Sequence, residues 1–168
     1  DNFREESVMI QFSVDAERLA SFKERAQSAM KNGYIEKGVR DTCKLINDHP
    51  HLATMWSCEG HGMYSKSPGN LHIVFATDAI GSQLPMQIMS ELAKCDLPNF
   101  WNLSLCRLYI PDAYTDLVYL EPDYGLNTDD TSYWSWKIGY MCLINRPALV
   151  EARQALYKAF HTVLVENK

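Results

Sequence analysis

The sequence predicts an α+β fold, with helices packed on one antiparallel or mixed β-sheet, on three observations. Apolar residues recur at helical spacing in several separate stretches. Short β-branched and aromatic runs lie between those stretches, bounded by Gly, Pro, Asn and Asp. The resulting order, β-α-α-β-β-α-β-β-β-α, lays helices on a sheet instead of alternating each helix with a parallel strand.

Val8-Met9-Ile10-Gln11-Phe12 reads as the first strand. Ser13 or Asp15 can cap a helix carrying Leu19, Phe22, Ala26, Ala29 and Met30 on one face, and Asn32-Gly33 ends it. A second helix follows, with Ile35, Val39, Thr42, Leu45 and Ile46 on one side. It stops at His49-Pro50, because the residue before proline avoids helical geometry. Leu52 to Cys58 has β character, broken by Glu59-Gly60-His61-Gly62. After the turn Ser67-Pro68-Gly69-Asn70, Leu71 to Ala76 is a second strand, close enough to pair antiparallel with the first.

A helix is expected from near Ser82 to Cys95, with Pro85 tolerated in its first turn. Trp101 to Ile110, Asp116 to Leu120 and Tyr133 to Cys142 read as strands, and residues 121–132 as a loop. A last helix, capped by Asn145, turns Leu149, Val150, Leu156, Phe160, Val163 and Leu164 inward. With no repeat and no linker, residues 1–168 are expected to form a single globular domain, long enough to bury a core unaided.

A 46% hydrophobic and 22% charged composition is that of a globular chain and excludes collagen, coiled coil and disordered tail. No apolar run approaches the ~18 residues that cross a bilayer, and Asp1-Asn2-Phe3-Arg4-Glu5-Glu6 is unlike a secretory signal. A net charge of −5 with dispersed Lys and Arg argues against broad, nonspecific nucleic-acid binding. The acids are better localised, at Asp112, Asp116, Glu121, Asp123, Asp129 and Asp130. That segment is either a solvated loop or a face for a cation or a basic protein partner. Five cysteines without a CxxC pair imply free thiols and a reducing, cytoplasmic setting.

Chemistry concentrates in Trp56-Ser57-Cys58-Glu59-Gly60-His61, where a strand meets a glycine turn. A nearby imidazolium favours the thiolate, so Cys58 and His61 are the candidate nucleophile pair, with Glu59 as acid or base. Ser57, Gly60, His72 and Arg107 are candidate ligand contacts, Arg107 as a bidentate anion clamp. The opposing reading makes Cys58 a core residue and the turn ordinary turn chemistry.

Zinc is a further alternative, since Cys43, His49, His51, Cys58 and His61 are near neighbours in sequence. They lack the paired close spacings of a zinc ribbon, so no metal ligands are assigned and no cofactor is identified. Trp134 and Trp136 share one strand face and, with Tyr133 and Tyr140, serve either as packing or as a stacking platform or interface anchor.

The stretch from Asp41 through Leu45-Ile46-Asn47 to Thr54, Ser57-Cys58 and Gly60 resembles a segment of the wybutosine-synthesising methyltransferase family. In that family a helix ending near an Asn precedes a strand running into Ser-Cys-x-Gly-Arg. The stretch also looks like bacterial and phage proteins bearing Ser-Cys-Glu-Gly-His. His61 stands where the family has Arg, so S-adenosylmethionine and substrate do not transfer. The resemblance implies that Ser57, Cys58, Gly60 and His61 line a pocket.

The functional expectation is a small enzyme or binder of a nucleotide-like or other anionic small molecule at the Ser-Cys-Glu-Gly-His turn. Its alternatives are a noncatalytic docking or inhibitory protein, viral in origin on one reading, and a zinc-stabilised domain.

Overall fold

Leu71 to Thr77 contains only one charged or titratable side chain, His72, and such a run suits a strand covered on both faces. The computed structural model describes residues 12–61, 70–95, 101–109, 119–121, 132–140 and 146–167, and shows this segment as the second strand of an antiparallel sheet. The strands are β1 (Leu52–Cys58), β2 (Leu71–Thr77), β3 (Trp101–Tyr109), β4 (Tyr119–Glu121) and β5 (Ser132–Tyr140). Their order across the sheet is β1-β2-β5-β3-β4, every pair antiparallel, with β1 at one edge among the described residues. The helices are α1 (Ala16–Lys31), α2 (Lys37–Asp48), α3 (Leu84–Leu92) and α4 (Arg146–His161), the last running into a π-helical turn, Thr162–Glu166. None of the helices among the described residues is long and apolar enough to cross a membrane.

The alternation of side chains along β2 divides the helices between two layers. Leu71, Ile73 and Phe75 enter a core with Val39, Cys43 and Ile46 of α2, Ile88 and Leu92 of α3, and Leu156 and Phe160 of α4. Val74 and Ala76 point the other way, where Ala53 of β1 and Leu19 and Phe22 of α1 close a second, smaller core. Burying each large side chain contributes about 1.5–3 kcal/mol, so the two cores together hold the sheet between helical layers.

Asp15 caps α1, its carboxylate accepting from the Arg18 N–H at 2.7 Å. α2 ends at His49, which is extended as its place before Pro50 requires. The Lys23 ammonium of α1 donates to the carbonyls of Asn47 and His49, satisfying two acceptors at that C-terminus. Pro85 sits in the first turn of α3.

β1 carries the irregularity that shapes the site. Thr54 faces Phe75, but Trp56 faces Val74, so Met55 is an extra residue, a β-bulge. Before the bulge Leu52 belongs to the larger core and Ala53 to the smaller one. After it, Trp56 and Cys58 lie opposite Val74 and His72, on the side of the sheet that α1 covers, while Ser57 lies opposite Ile73. Were Met55 paired regularly with Val74, Trp56 and Cys58 would fall on the larger core's side.

Trp136 and Tyr140 are buried in the larger core, and Phe12 packs edge-on against both Trp134 and Trp136. Of the aromatic alternatives, packing is therefore what Trp136 and Tyr140 show. Phe12 lies in a turn; the rest of the expected first strand, residues 8–11, lies outside the described residues. So does the acidic segment expected to dock a cation or partner, apart from residues 119–121.

Candidate metal centre

The end of β1 meets the start of α2 at a corner of the fold. The first N–H groups of a helix have no intrahelical partner, and Glu36, at the N-cap position, does not bond them with its own side chain. Glu59 supplies that cap from the neighbouring turn: its Oε2 accepts the Gly38 N–H at 2.7 Å. A Cβ at Gly38 would fall 2.5 Å from that oxygen, so only glycine leaves room for the carboxylate. In return the Glu59 N–H donates to Glu36 Oε1 at 3.1 Å. The two glutamates thus tie the turn to the helix reciprocally.

From the other side, Arg153 of α4 donates through Nε to the Glu59 carbonyl at 2.6 Å and through a terminal nitrogen to the Gly60 carbonyl at 3.0 Å. Gly60 has φ of +84°, and a Cβ there would lie 2.8 Å from Leu149 Cδ2 and 3.1 Å from the Leu71 nitrogen. Left-handed backbone and close packing both demand glycine here. The turn is held on both flanks before any ligand arrives.

This frame brings together Glu36, Cys58 and His61, whose oxygen, sulfur and nitrogen donors all lie within 4.8 Å of one another. His61 Nε2 is 2.8 Å from Glu36 Oε2, both side chains being about one-third exposed. Burial pushes the Cys58 thiol above its usual range; the Gly60 N–H acts against this, while the Glu36 and Glu59 carboxylates add to it. The thiol is a hydrogen-bond donor to Glu36. An imidazole was expected to favour the thiolate, but the group that bonds the sulfur is the carboxylate, which favours the thiol.

Cys58 and His61 are therefore brought together as expected, with Glu36 as the member that sequence reasoning missed. Nothing in the spacing ties a residue at the start of one helix to a turn beyond the next strand. Glu59, expected as acid or base, has its carboxylate on the N-terminus of α2. Ser57 lies on the opposite side of β1 and bonds the thiol of Cys43, which burial raises to about 11. Gly60 shapes the turn. His72 is the cross-strand neighbour of Cys58. Arg107 occupies β3, opposite Trp134 and Glu121, with β2 and β5 between it and β1.

The other residues of the sequence-level zinc cluster disperse. Cys43 is in the core, and His51 Nδ1 meets Asp78 Oδ2 at 2.7 Å near the start of β1, with His49 edge-on to its ring.

Fold and site define an α+β domain with helices on both faces of an antiparallel sheet and a Glu-Cys-His cluster at the sheet's edge. No protein-family model, curated protein or solved structure matches the chain.

Proposed function

We propose that Glu36, Cys58 and His61 bind a divalent transition-metal ion, zinc foremost, and that this ion is the chemical centre of the Ser-Cys-Glu-Gly-His turn. The convergence of a sulfur, an imidazole nitrogen and a carboxylate oxygen within 4.8 Å carries the reading. Zinc takes these three donor types at about 2.0–2.3 Å, which sets tetrahedral ligand atoms roughly 3.3–3.8 Å apart. The His61–Glu36 contact of 2.8 Å has to open by roughly half an ångström or more to admit the ion.

The same donors serve poorly as a nucleophile pair. A thiol raised by burial and carboxylates is a weak nucleophile, whereas a bound cation displaces its proton outright. Three protein ligands leave a fourth position for water or a small anionic ligand, which joins the metal to the ligand-binding role expected of the turn. The ion would supply a Lewis acid; this chain's residues hold it and fix its orientation.

Metal-stripped protein titrated with zinc against a chromophoric chelator should bind one ion per chain. Cobalt substitution should add a thiolate charge-transfer band in the near ultraviolet. Cys58→Ser, His61→Ala and Glu36→Gln should each weaken binding at least tenfold while the chain stays folded by circular dichroism. Absence of stoichiometric binding, or binding indifferent to all three substitutions, overturns the reading.

A further inference from the structure

β1 and β2 run past their last paired residues, Leu52 and Thr77, into His51 and Asp78. There the Asp78 N–H donates to the His51 carbonyl at 3.3 Å, and the His51 N–H donates to His49 Nδ1 at 3.2 Å. The side chains close the same link, His51 Nδ1 lying 2.7 Å from Asp78 Oδ2. Asp78 is held by its other oxygen, which accepts the Gly81 N–H at 2.9 Å. A Cβ at Gly81 would stand 2.8 Å from the His51 carbonyl oxygen and 2.9 Å from His51 Cβ, so only glycine lets this turn close on the histidine. Backbone and side chain are both fixed in each member of the pair.

A carboxylate only accepts, so Nδ1 carries the ring proton and Nε2 of the neutral imidazole keeps its lone pair. Among the described residues nothing bonds Nε2. The imidazole is the more exposed member, with 29% of its side-chain surface open against 15% for Asp78. Cys58 lies at the far end of β1, roughly 20 Å away by the rise of a strand, so the pair is separate from the metal ligands. The charges about it cancel. Lys23 lies in the fields of Asp48 and Asp78, and Lys44 pairs with Asp48, which leaves no excess of either sign to draw an ion. Ile80, 76% exposed, adjoins Gly81 and offers an apolar contact beside the histidine.

We propose that His51 is a nucleophile toward uncharged carboxylic esters of apolar acids, with Asp78 as its positioning residue. Nε2 attacks the acyl carbon, the N–C bond forms, and the ester C–O bond breaks with its electron pair leaving on the alcohol oxygen. The Asp78 carboxylate on Nδ1–H stabilises the positive charge that develops on the ring. Water then attacks the acyl carbon, and the C–N bond breaks with its pair returning to Nε2. The acid is released, and the proton lost by the water neutralises the alkoxide. The balanced charges favour an uncharged substrate, and Ile80 favours an apolar acyl group.

The full chain, treated with chelator so that Glu36, Cys58 and His61 hold no ion, is given para-nitrophenyl butyrate, and release of nitrophenolate is followed. Release should exceed that by the same molarity of free imidazole, and His51→Ala should lower it at least tenfold. Asp78→Asn keeps an oxygen for the Gly81 N–H while removing the charge. Its amide donates to Nδ1, which moves the ring proton to Nε2 and blocks attack. That variant should slow both ester cleavage and carbethoxylation of His51 by diethyl pyrocarbonate, located by peptide mass spectrometry. A pair that only supports the turn gives the reverse, since loosening it exposes the ring and speeds the modification. Cleavage no faster than by imidazole, equal cleavage by wild type and His51→Ala, or undiminished carbethoxylation of His51 in folded Asp78→Asn overturns the proposal. None of these results bears on the metal reading.

Discussion

Asn47 and Thr54 exchange two hydrogen bonds: the Asn47 amide donates to Thr54 Oγ1 at 2.8 Å, and its carbonyl oxygen accepts the Thr54 N–H at 2.8 Å. Both residues are buried, so the last turn of α2 grips β1 at the residue before the bulge. Asn47→Ala would leave the Thr54 N–H without its partner. A loss of about 2–3 kcal/mol is expected in denaturant unfolding. A loss under about 0.5 kcal/mol would mean that the pair does not anchor the strand.

Deleting Met55 should remove the bulge and leave Trp56 opposite Val74 and Cys58 opposite His72, on the side they already occupy. A deleted chain that folds should still bind cobalt through a thiolate. If it folds and loses the charge-transfer band, the register beyond the bulge is not enough to orient Cys58.

Gly60→Ala meets two obstacles, the left-handed backbone and the contact with Leu149. Destabilisation of about 2–4 kcal/mol is expected. Adding Leu149→Ala should not restore wild-type stability, because it relieves the contact alone and opens a cavity in the core. Full recovery in the double variant would show that the backbone carries no strain.

Cys58 should react slowly with iodoacetamide near neutral pH, since burial and its carboxylates hold it above its ordinary value. Glu36→Gln removes one of those carboxylates, so the rate's midpoint should move to lower pH. A midpoint that stays in place or rises in that variant would contradict the contact.

Cys43 has an ordinary value of 9.0 and is pushed up to about 11 by burial. Below pH 9 the thiol is protonated in both folded and unfolded chains, and its preference for the folded core is fully present. As pH rises from 9 to 11 the unfolded chain ionises first, and up to about 2–3 kcal/mol of stability is lost. The stability difference between wild type and Cys43→Ala should shrink over that interval. A difference independent of pH there would refute the assignment.

Periodicity made most of the fold legible. The apolar side of α2 and the run Leu71 to Ala76 each have one satisfactory reading, and both appear where expected. Boundaries shifted where tertiary contacts decide them: α3 begins at Leu84 instead of near Ser82, whose hydroxyl bonds the Ala79 carbonyl in the preceding turn. The candidate site was legible only in its local half. Cys58 and His61 lie within one turn, but Glu36 reaches them through the packing of α2 on β1, and no spacing rule contains that contact. The bulge was hidden for a similar reason, because Met55 is as acceptable in a regular strand as in an irregular one. Its effect exists only relative to β2.

β2 is sealed by helices on both sides, while β1 has one strand neighbour among the described residues. Such an arrangement grades resistance to transient opening across a few ångströms. Amide protons of Ile73 to Phe75 should exchange with solvent only when the whole domain comes apart, whereas those of Ser57 and Cys58 can exchange when the outermost ribbon peels away. An ion joining α2 to the end of that ribbon would act as a clasp, slowing exchange at the margin while leaving the interior rates as they were.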